Sequence, residues 1–482
     1  MDSSAATATI LSIDQGTSGT KAIVVDGDDA IASVVEIPLR PVYRDGGSVE
    51  QDPDELLASV MDAAAQAIER AGVRIDAVTL SNQGESVLAW DPDTGAPLSR
   101  MLGWQDRRAQ SECDAVTGKA DLVASRTGLV LDPFFTAPKL AWLRRNVTTR
   151  GVVTTSDTWL LNRLTGEFVT DVATASRSLM TDLETVDYDP ELVRLFRLES
   201  ERLPHVVAND EVVGLTEAFG GPIPVAGVVV DQQAALLAEG CLRAGDAKCT
   251  FGTGAFLLAN LGRTPLRSSS GLTSSVAWRV EGRTSYCCDG QVYTAASAVR
   301  WLQDTGLLSG PAELDAICSH DAHGAMCVPS MAGLAAPWWQ SGAKAAFNGI
   351  GLATTREDLV TSVVQGLAAQ VAELGELVAA DLQRPLTRLR VDGGLTRSDV
   401  FMQTVADLMQ IDIDVYPSAH ATPLGAVALA RKALNPALRL EDTIVPWTPA
   451  RTFRPQWTRD HAHTFREEWR RVVESVAEQQ GK

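Results

Sequence analysis

Residues 9–26 read TILSIDQGTSGTKAIVVD, two apolar runs on either side of a turn made of glycine and hydroxyl residues. The pattern predicts a β-hairpin whose turn exposes backbone N–H groups that can hold phosphate oxygens. Half a chain later, residues 247–260 read AKCTFGTGAFLLAN and have the same form. Two such hairpins predict a duplicated ATPase in which the nucleotide lies between two lobes.

The bulk composition bounds the class of protein. A chain of 482 residues is too long for one hydrophobic core, so two or three domains are expected. A net charge of −19 argues against nucleic acid and against an anionic membrane surface as partners. The seven cysteines form no CxxC pair, which predicts reduced thiols and a cytoplasmic location. No signal peptide and no apolar run of about 18 residues is expected.

Strands and helices are predicted to alternate, which indicates α/β lobes. In the first half, the expected elements after the hairpin are a third strand at 31–42, a helix capped by Asp52 and ended by Gly72, a strand at 77–80, mostly helix over 100–200, and a strand at 223–230 followed by a helix from Gln232 to Glu239. In the second half, they are a helix at 356–382, a strand at 387–391, a helix at 398–409 capped by Ser398, a strand at 411–416 and a helix from about 422 capped by Thr422. A terminal helix is expected near 460–478. The predicted segments are a first lobe at 8–243, a second lobe at 244–440 and a tail at 441–482.

Two sites could serve a nucleotide. Asp14 ends the first predicted strand beside the hydroxyl-rich turn, where a carboxylate can hold Mg²⁺ through water while the turn binds phosphate. A plain hairpin with turn-forming residues is the alternative, and the second copy of the turn favours the functional interpretation. The run Asp392-Gly393-Gly394 lets a ribose or phosphate approach the backbone closely, or is simply a tight turn.

Two further groups could serve an acceptor. Asp231 follows an apolar strand and begins a helix, at the sheet edge where ligands bind in open α/β sheets. Its carboxylate could take a proton from a substrate hydroxyl, although spacing alone favours a helix N-cap. Polar residues over 83–85 and 104–106 surround Trp104, which suits a polyol with many hydroxyls and an apolar C–H face. Ordinary loop polarity, with Trp104 as a core anchor, is the alternative.

In their order and spacing, eight segments resemble the FGGY carbohydrate kinases and, within that family, are most similar to the glycerol kinases. The resemblance runs from about Ile10 to about Leu434. The matching segments are Ile13-Asp14-Gln15-Gly16-Thr17-Ser18, Ser81-Asn82-Gln83-Gly84-Glu85, Gly103-Trp104-Gln105-Asp106-Arg107-Arg108, residues 127–135, Asp157-Thr158-Trp159-Leu160, Asp231-Gln232-Gln233-Ala234-Ala235, Thr250-Phe251-Gly252-Thr253-Gly254 and Val391-Asp392-Gly393-Gly394.

The resemblance implies a duplicated ribonuclease-H-like ATPase fold of the actin and hexokinase type, with two lobes and a central cleft. It implies ATP- and Mg²⁺-dependent phosphorylation of a primary hydroxyl of a small polyol or sugar, and a possible homodimer. Asp231 is then the general base, and Asp14 supports Mg²⁺. The implied phosphate and nucleotide residues are Thr17, Ser18, Lys21, Gly252, Thr253, Ala296, Arg300, Gly394 and Ser398. The implied acceptor residues are Gly84, Glu85, Trp104, Phe134, Asp231 and Gln232. The first lobe, 8–243, is then expected to be the acceptor and phosphate side, and the second lobe, 244–440, the nucleotide side.

The chain departs from the glycerol kinase pattern at two acceptor positions. Glycerol kinases carry Arg where Gly84 stands and Tyr where Phe134 stands, so two polar contacts are lost. Such contacts are worth about 0.5–1.5 kcal/mol each, or about 1.5–3 kcal/mol when one partner is charged. A larger four- or five-carbon polyol or ketose, of the erythritol or xylulose type, is therefore an alternative acceptor. The same two departures also fit a catalytically dead ATP-binding regulator, and the two hairpins alone would also fit a nucleotide-gated scaffold.

Overall fold

The computed structural model describes residues 8–318 and 321–478 as alternating strands and helices. The strands are β1 (Ile10–Gln15), β2 (Gly19–Val25), β3 (Ile31–Pro38), β4 (Val42–Arg44), β5 (Ser48–Gln51), β6 (Ala77–Asn82), β7 (Val87–Trp90), β8 (Met101–Leu102), β9 (Val152–Thr155), β10 (Val169–Asp171), β11 (Thr181–Asp182), β12 (Asp187–Tyr188), β13 (His205–Val207), β14 (Val212–Thr216), β15 (Ile223–Ala226), β16 (Val229–Val230), β17 (Ala247–Phe251), β18 (Ala255–Gly262), β19 (Thr273–Val280), β20 (Arg283–Val292), β21 (Met326–Val328), β22 (Ala346–Asn348), β23 (Arg388–Gly393), β24 (Asp412–Val415) and β25 (Arg451–Phe453). The α-helices are α1 (Pro53–Ala71), α2 (Gln110–Asp114), α3 (Ala120–Thr127), α4 (Thr136–Asn146), α5 (Ser156–Thr165), α6 (Val172–Ser176), α7 (Pro190–Leu195), α8 (Asp231–Ala238), α9 (Ala296–Asp304), α10 (Leu314–Ile317), α11 (Arg356–Asp381), α12 (Asp399–Met409), α13 (Ala421–Leu434) and α14 (Arg459–Glu478).

Each half of the chain is built on a sheet with the same strand order. In the first half, β3, β2 and β1 are antiparallel neighbours, and β1 continues in parallel to β6 and β15. In the second half, β20, β18 and β17 are antiparallel, and β17 continues in parallel to β23 and β24. The two predicted hairpins are therefore the central strand pairs of two equivalent sheets. This equivalence confirms the duplicated fold.

Helix α1 shows how local sequence sets an element boundary. The Asp52 side chain accepts hydrogen bonds from the backbone N–H groups of Asp54 (3.0 Å) and Glu55 (3.3 Å). Gly72 ends the helix with a φ of 63°, a left-handed conformation that glycine adopts without strain. Both predicted boundaries of this helix are confirmed. The cap Ser398 is confirmed as well, because its side chain accepts from Phe401 N at 3.1 Å.

Three predicted elements differ in the structure. The predicted strand at 223–230 is broken into β15 and β16 by Gly227, whose φ is 72° and whose added Cβ would lie 2.2 Å from Ala430 N. Close packing against α13 therefore interrupts the strand. Thr422 does not cap α13, since the N-cap residue is His420 and makes no side-chain cap. The interval 100–200 is not mostly helical, because short strands β8–β12 alternate with helices α2–α7.

Two regions join the halves. Helices α8 and α13 pack so closely that a Cβ on Gly425 would lie 1.8 Å from the Ala234 carbonyl oxygen. At the other side, β19 and the next residue, Glu281, contact the first half through a set of hydrogen bonds that we call the interlobe seam. These bonds are Ser274 N to Gly128 O (2.8 Å), Val276 N to Ser176 Oγ (3.0 Å), Arg279 N to Asn209 Oδ1 (2.9 Å) and Glu281 N to Asp210 Oδ2 (2.7 Å). Residues of both halves also line a cavity, which lies in the cleft between the halves.

The second half has a long central helix and an added edge. Helix α11 is the one helix, within the described ranges, that is long and apolar enough to cross a membrane, and 78% of its most apolar window is buried inside the protein. Strand β25 pairs with β24, and Trp469 of α14 donates from Nε1 to Cys327 O at 2.9 Å. The tail thus extends the second sheet through β25 and packs against β21 through α14. The predicted segment boundaries at 243–244 and 440–441 stay predictions.

Candidate active site

A cavity of about 200 Å³ lies in the cleft and is lined by residues from both halves. Every residue that the sequence predicts for the acceptor site lines it: Gly84, Glu85, Trp104, Phe134, Asp231 and Gln232. Both hairpin turns also reach it, through Thr17 and Ser18 from the first and Thr253 from the second. The predicted acceptor residues and part of the predicted phosphate residues are therefore brought together in one place. We call this space the acceptor cavity.

Asp231 is the first residue of α8 and is not the N-cap. The cap position is Val230, which makes no side-chain cap, while Asp231 Oδ1 accepts from Gln232 N at 2.7 Å. Burial, with the nearby Glu85 carboxylate, raises the pKa of Asp231 to about 6, and Lys248 opposes the rise. A carboxylate with this pKa is ionised at neutral pH and is basic enough to take a proton from a hydroxyl.

Lys248 is a fully buried cation that the sequence patterns did not indicate. Its Nζ donates to Gln232 Oε1 at 2.6 Å and to Thr250 Oγ1 at 2.7 Å. Burial raises the pKa of the Asp231 and Asp392 carboxyls, and the charge of Lys248 opposes that rise in both. The lysine stands in the middle of β17, a strand that is otherwise mostly apolar. A charged residue at that position of the second hairpin is the signal that could have found it.

The first hairpin provides a carboxylate suited to a cation. Asp14 lies opposite Lys21 in the register of β1 and β2, and Lys21 Nζ lies 3.4 Å from Ala419 O. Burial, followed by the charge of Asp231, raises the pKa of Asp14 to about 7. In β23 of the second half, Asp392 Oδ1 is buried and has no hydrogen-bond partner within the described ranges. Buried carboxylate oxygens that repel each other or lack partners fit a site for Mg²⁺.

Aromatic rings form the apolar wall of the acceptor cavity. Trp104 makes edge-to-face contacts with Phe134 and Phe256, with ring centroids 5.6 Å and 5.7 Å away. Its indole Nε1 donates to Thr17 Oγ1 at 2.8 Å. Trp104 is therefore both a packing anchor and a link from this wall to the first hairpin turn. Phe256 comes from β18, so the second half contributes to the wall.

Glu85 is oriented by partners that the sequence patterns did not indicate. Its backbone has a φ of 57°, which a non-glycine residue rarely adopts. Its carboxylate is bonded by Arg177 Nε, and the same guanidinium donates from Nη1 to Asp289 Oδ1 at 3.0 Å. Arg177 and Asp289 also line the acceptor cavity. The two residues stand more than a hundred positions apart in the chain, so no local sequence signal connects them.

Gly84 does not simply leave open space. A Cβ built on it would lie 3.1 Å from Val230 Cγ2, tighter than ordinary van der Waals contact. Val230 itself lines the acceptor cavity and is 2% exposed. Part of the volume beside Gly84 is therefore filled by the valine that precedes the candidate base.

A second, larger cavity of about 670 Å³ lies in the second half. Ala296, Gly394 and Ser398 of the predicted nucleotide residues line it, whereas Arg300, on the exposed face of α9, does not. A Cβ on Gly394 would meet no atom within 4 Å, so this residue opens onto the cavity. The Ser398 hydroxyl is already used, because it caps α12 and donates to Asp315. Lys21 and Gly252 line neither cavity.

The second hairpin turn lies between the two cavities. Ala295 N donates to Thr253 O at 2.8 Å, and Ala296 N donates to Gly252 O at 3.0 Å. These bonds join the turn to the start of α9, and Ala296 lines the larger cavity. Thr253 lines the acceptor cavity. A chain of phosphates bound along this turn would connect the larger cavity with Asp231.

Two equivalent lobes with hairpin turns facing a cleft, and a carboxylate at the cleft edge, define a phosphotransferase of the ribonuclease-H-like ATPase fold. Comparison with known families agrees. The N-terminal domain model of the FGGY family of carbohydrate kinases matches residues 9–238, and its C-terminal domain model matches residues 247–434. The chain belongs to the FGGY family of carbohydrate kinases, and it is a phosphotransferase with an alcohol group as acceptor.

Individual relatives agree with this family. Glycerol kinase from Thermus brockianus is 39% identical over 96% of this chain and 98% of its own length. Glycerol kinase 2 from Thermotoga maritima is 35% identical with the same coverage. The crystal structure of Plasmodium falciparum glycerol kinase with ADP superposes with a TM-score of 0.89 at 29% identity, covering 98% of each chain. A ligand-bound xylulose kinase from Lactobacillus acidophilus reaches a TM-score of 0.87 at 19% identity, with 98% of this chain and 99% of its own covered, and so shows the fold alone.

Proposed function

We propose that this protein transfers the γ-phosphoryl group of ATP to a primary hydroxyl of a small polyol or sugar. The observation that carries the proposal is the position of Asp231. Its carboxylate lines the same cavity as Thr17 and Ser18 of one hairpin turn and Thr253 of the other. Glycerol kinases among the relatives, one of them solved with ADP, support a polyol acceptor and ATP as the donor.

Each side chain then has a task in the transfer. Asp231 orients the acceptor hydroxyl and takes its proton, while Lys248 and the N-terminus of α8 hold the carboxylate ionised. Glu85 accepts hydrogen bonds from other acceptor hydroxyls, and Trp104 and Phe134 cover the C–H face. The N–H groups of the two turns bind phosphate oxygens. Positioning and charge neutralisation supply most of the rate in such transfers.

Asp14 is proposed to hold Mg²⁺ through water, with Asp392 facing the same cation. When bound, Mg²⁺ neutralises charge on the phosphate oxygens. Ala296 and Gly394 of the larger cavity are proposed to contact the adenosine, which matches the mostly apolar lining that a purine needs. The predicted contacts of Arg300, Lys21 and Gly252 with the nucleotide and its phosphates stay predictions.

A four- or five-carbon polyol or ketose is the second candidate acceptor. It is favoured by Gly84 and Phe134, because neither side chain offers the hydrogen bonds that hold glycerol in the pattern the chain resembles. The Val230 methyl beside Gly84 also makes that corner apolar. An acceptor with a longer carbon chain can place carbons against Val230 and Gly84 and hydroxyls near Gln105 and Tyr43. The side chains of Gln105 and Tyr43 are hydrogen-bonded to each other at 3.2 Å.

The deciding experiment is a screen of ADP release with Mg²⁺-ATP and glycerol, erythritol, threitol, pentitols and ketopentoses. A kinase releases ADP above background with at least one acceptor, and Asp231→Asn removes that release while ATP still binds. A regulator or scaffold binds ATP and releases ADP at the same background rate with every acceptor. The preferred acceptor is the one with the highest kcat/KM, and glycerol in that position would reject the second candidate.

The cell compartment and the assembly are parts of the same proposal. All seven cysteines are free, and six of them are buried. Free thiols support a reducing compartment, so we propose that the enzyme is cytoplasmic. A homodimer stays a prediction, to be measured by light scattering of the purified protein.

A further inference from the structure

We propose that Arg177 and Asp289 are positioning residues for the acceptor, and that the second half of the chain thereby takes part in acceptor binding. The inference rests on the proposed function, in which Glu85 accepts hydrogen bonds from the acceptor hydroxyls. The Arg177–Asp289 pair acts on the acceptor indirectly, because Arg177 binds the Glu85 carboxylate. The sequence, by contrast, predicts that the first lobe, 8–243, is the acceptor side of the cleft.

The geometry is a chain of three buried charged groups across the seam. Arg177, the C-cap of α6, bonds Glu85 Oε1 through Nε. Its two remaining nitrogens face Asp289, with Nη1 to Oδ1 at 3.0 Å and Nη2 to Oδ2 at 3.3 Å. The exposed fractions of the three side chains are 8%, 5% and 3% for Arg177, Glu85 and Asp289. A guanidinium suits this task because its planar fork binds two carboxylates at fixed angles.

The bond from Arg177 also influences the ionisation of the Glu85 carboxyl and determines which of its oxygens is free for a ligand. Burial raises the pKa of the Glu85 carboxyl, and the Arg177 charge opposes that rise, so Arg177 favours the ionised form that accepts hydrogen bonds. Within the described ranges, the bond from Arg177 goes to Oε1, and Oε2 has no hydrogen bond, which leaves Oε2 for acceptor hydroxyls. The backbone of Glu85 has a φ of 57°. A strained residue stays in place only when its surroundings hold it there.

Asp289 is itself held firmly. It stands in β20, and Gln291 Nε2 donates to its Oδ2. The neighbouring strand β19 is fixed to the first half beside Arg177, since Val276 N donates to Ser176 Oγ at 3.0 Å. Ser275 Oγ lies 3.5 Å from Arg177 Nη1. The second sheet therefore anchors the far side of the guanidinium, and the position of Glu85 follows from the joining of the two halves.

The test compares Asp289→Asn, Arg177→Lys and Glu85→Gln with the wild type, using the acceptor that gives the highest kcat/KM. We expect Asp289→Asn and Arg177→Lys to raise the acceptor KM about tenfold or more, since a charged hydrogen bond is lost or misdirected. The KM for ATP should change less than twofold. In a Glu85→Gln background, Asp289→Asn should add less than a further twofold, because both changes act through the same contact.

Asp210→Asn is the matched control. Asp210 also crosses the seam, to Glu281 N, but it lies outside the acceptor cavity. We expect it to leave the acceptor KM unchanged even if it lowers the melting temperature. Two outcomes would overturn this inference and leave the proposed function intact. In the first, the Asp289→Asn and Arg177→Lys enzymes melt earlier yet keep the wild-type acceptor KM. In the second, their effects on the acceptor KM are fully additive with that of Glu85→Gln. A wild-type protein that neither turns over nor is stabilised by any polyol would overturn the proposed function together with it.

Discussion

The pair formed by Gly84 and Val230 gives a quantitative prediction about acceptor choice. Replacing Gly84 by Arg restores the side chain that the glycerol kinase pattern uses to hold substrate hydroxyls. A charged hydrogen bond is worth about 1.5–3 kcal/mol, or about 10- to 150-fold in kcat/KM for glycerol. The new Cβ, however, lies 3.1 Å from Val230 Cγ2. Overpacking of this kind costs about 1–3 kcal/mol, which cancels the gain in the single variant.

The double variant Gly84→Arg/Val230→Ala removes that conflict. The surrounding charges favour the added cation, because three carboxylates and one guanidinium line the acceptor cavity. We therefore expect kcat/KM for glycerol to change less than threefold in Gly84→Arg and in Val230→Ala, and to rise about 10- to 150-fold in the double variant.

The assay is ADP release at varied glycerol concentration, with a four-carbon polyol as the comparison acceptor. In the double variant the comparison acceptor should lose efficiency, because the arginine occupies the space for its extra carbon. A full gain in Gly84→Arg alone would show that Val230 does not restrict this corner. Strict additivity of the two single changes would refute the coupling of the pair.

Four further predictions follow from the charges and the packing. Asp231→Asn should lower kcat by about 10²–10⁴ with an unchanged melting temperature. In the wild type log kcat/KM should begin to fall below about pH 7 and fall with a slope greater than one below pH 6, because Asp14, with a pKa of about 7, and Asp231, with a pKa of about 6, both lose their ionised form there; a pH profile of both proteins checks this. Asp14→Asn should raise the Mg²⁺ concentration for half-maximal activity about 10- to 100-fold, measured by Mg²⁺ titration at saturating ATP. An aldonate with the same carbon skeleton as the best polyol should be used at least about tenfold less efficiently, since the acceptor cavity carries excess negative charge; equal use would contradict that charge balance. Gly425→Ala should lower the free energy of unfolding in urea by about 1–3 kcal/mol because its Cβ meets a backbone oxygen, whereas Gly118→Ala, with no atom within 4 Å, should not.

The sequence was sufficient for the fold because its signals are local and repeated. The two hairpins, the Asp52 and Ser398 caps and the long α11 each depend on neighbouring residues. The duplication then follows from finding the same hairpin twice. Where a prediction was wrong, as for the strand at 223–230, the cause is tertiary: α13 approaches Gly227 so closely that the strand must break.

The sequence was sufficient to predict residues that share one cavity, but it did not predict the partners that orient their side chains; their role in acceptor binding stays a prediction. All six acceptor residues line one cavity, because each follows a strand end or turn that a motif marks. The partners that orient them come from distant segments with no motif of their own: Arg177 from a helix end, Lys248 from within a strand and Asp289 from the second sheet. Burial and pairing of charges depend on which surfaces meet, and a single sequence does not state that.

The turn at Gly252 and Thr253 lines the acceptor cavity through Thr253 and is hydrogen-bonded through Gly252 O to Ala296, which lines the larger cavity, and this has a thermodynamic consequence. A ligand that shifts this turn from one side changes the shape met by a ligand on the other side. Linkage then requires reciprocity: whatever factor a nucleotide contributes to the affinity for the alcohol, the alcohol returns to the affinity for the nucleotide. Equilibrium titrations with a non-hydrolysable ATP analogue, performed in both orders of addition, must give the same factor.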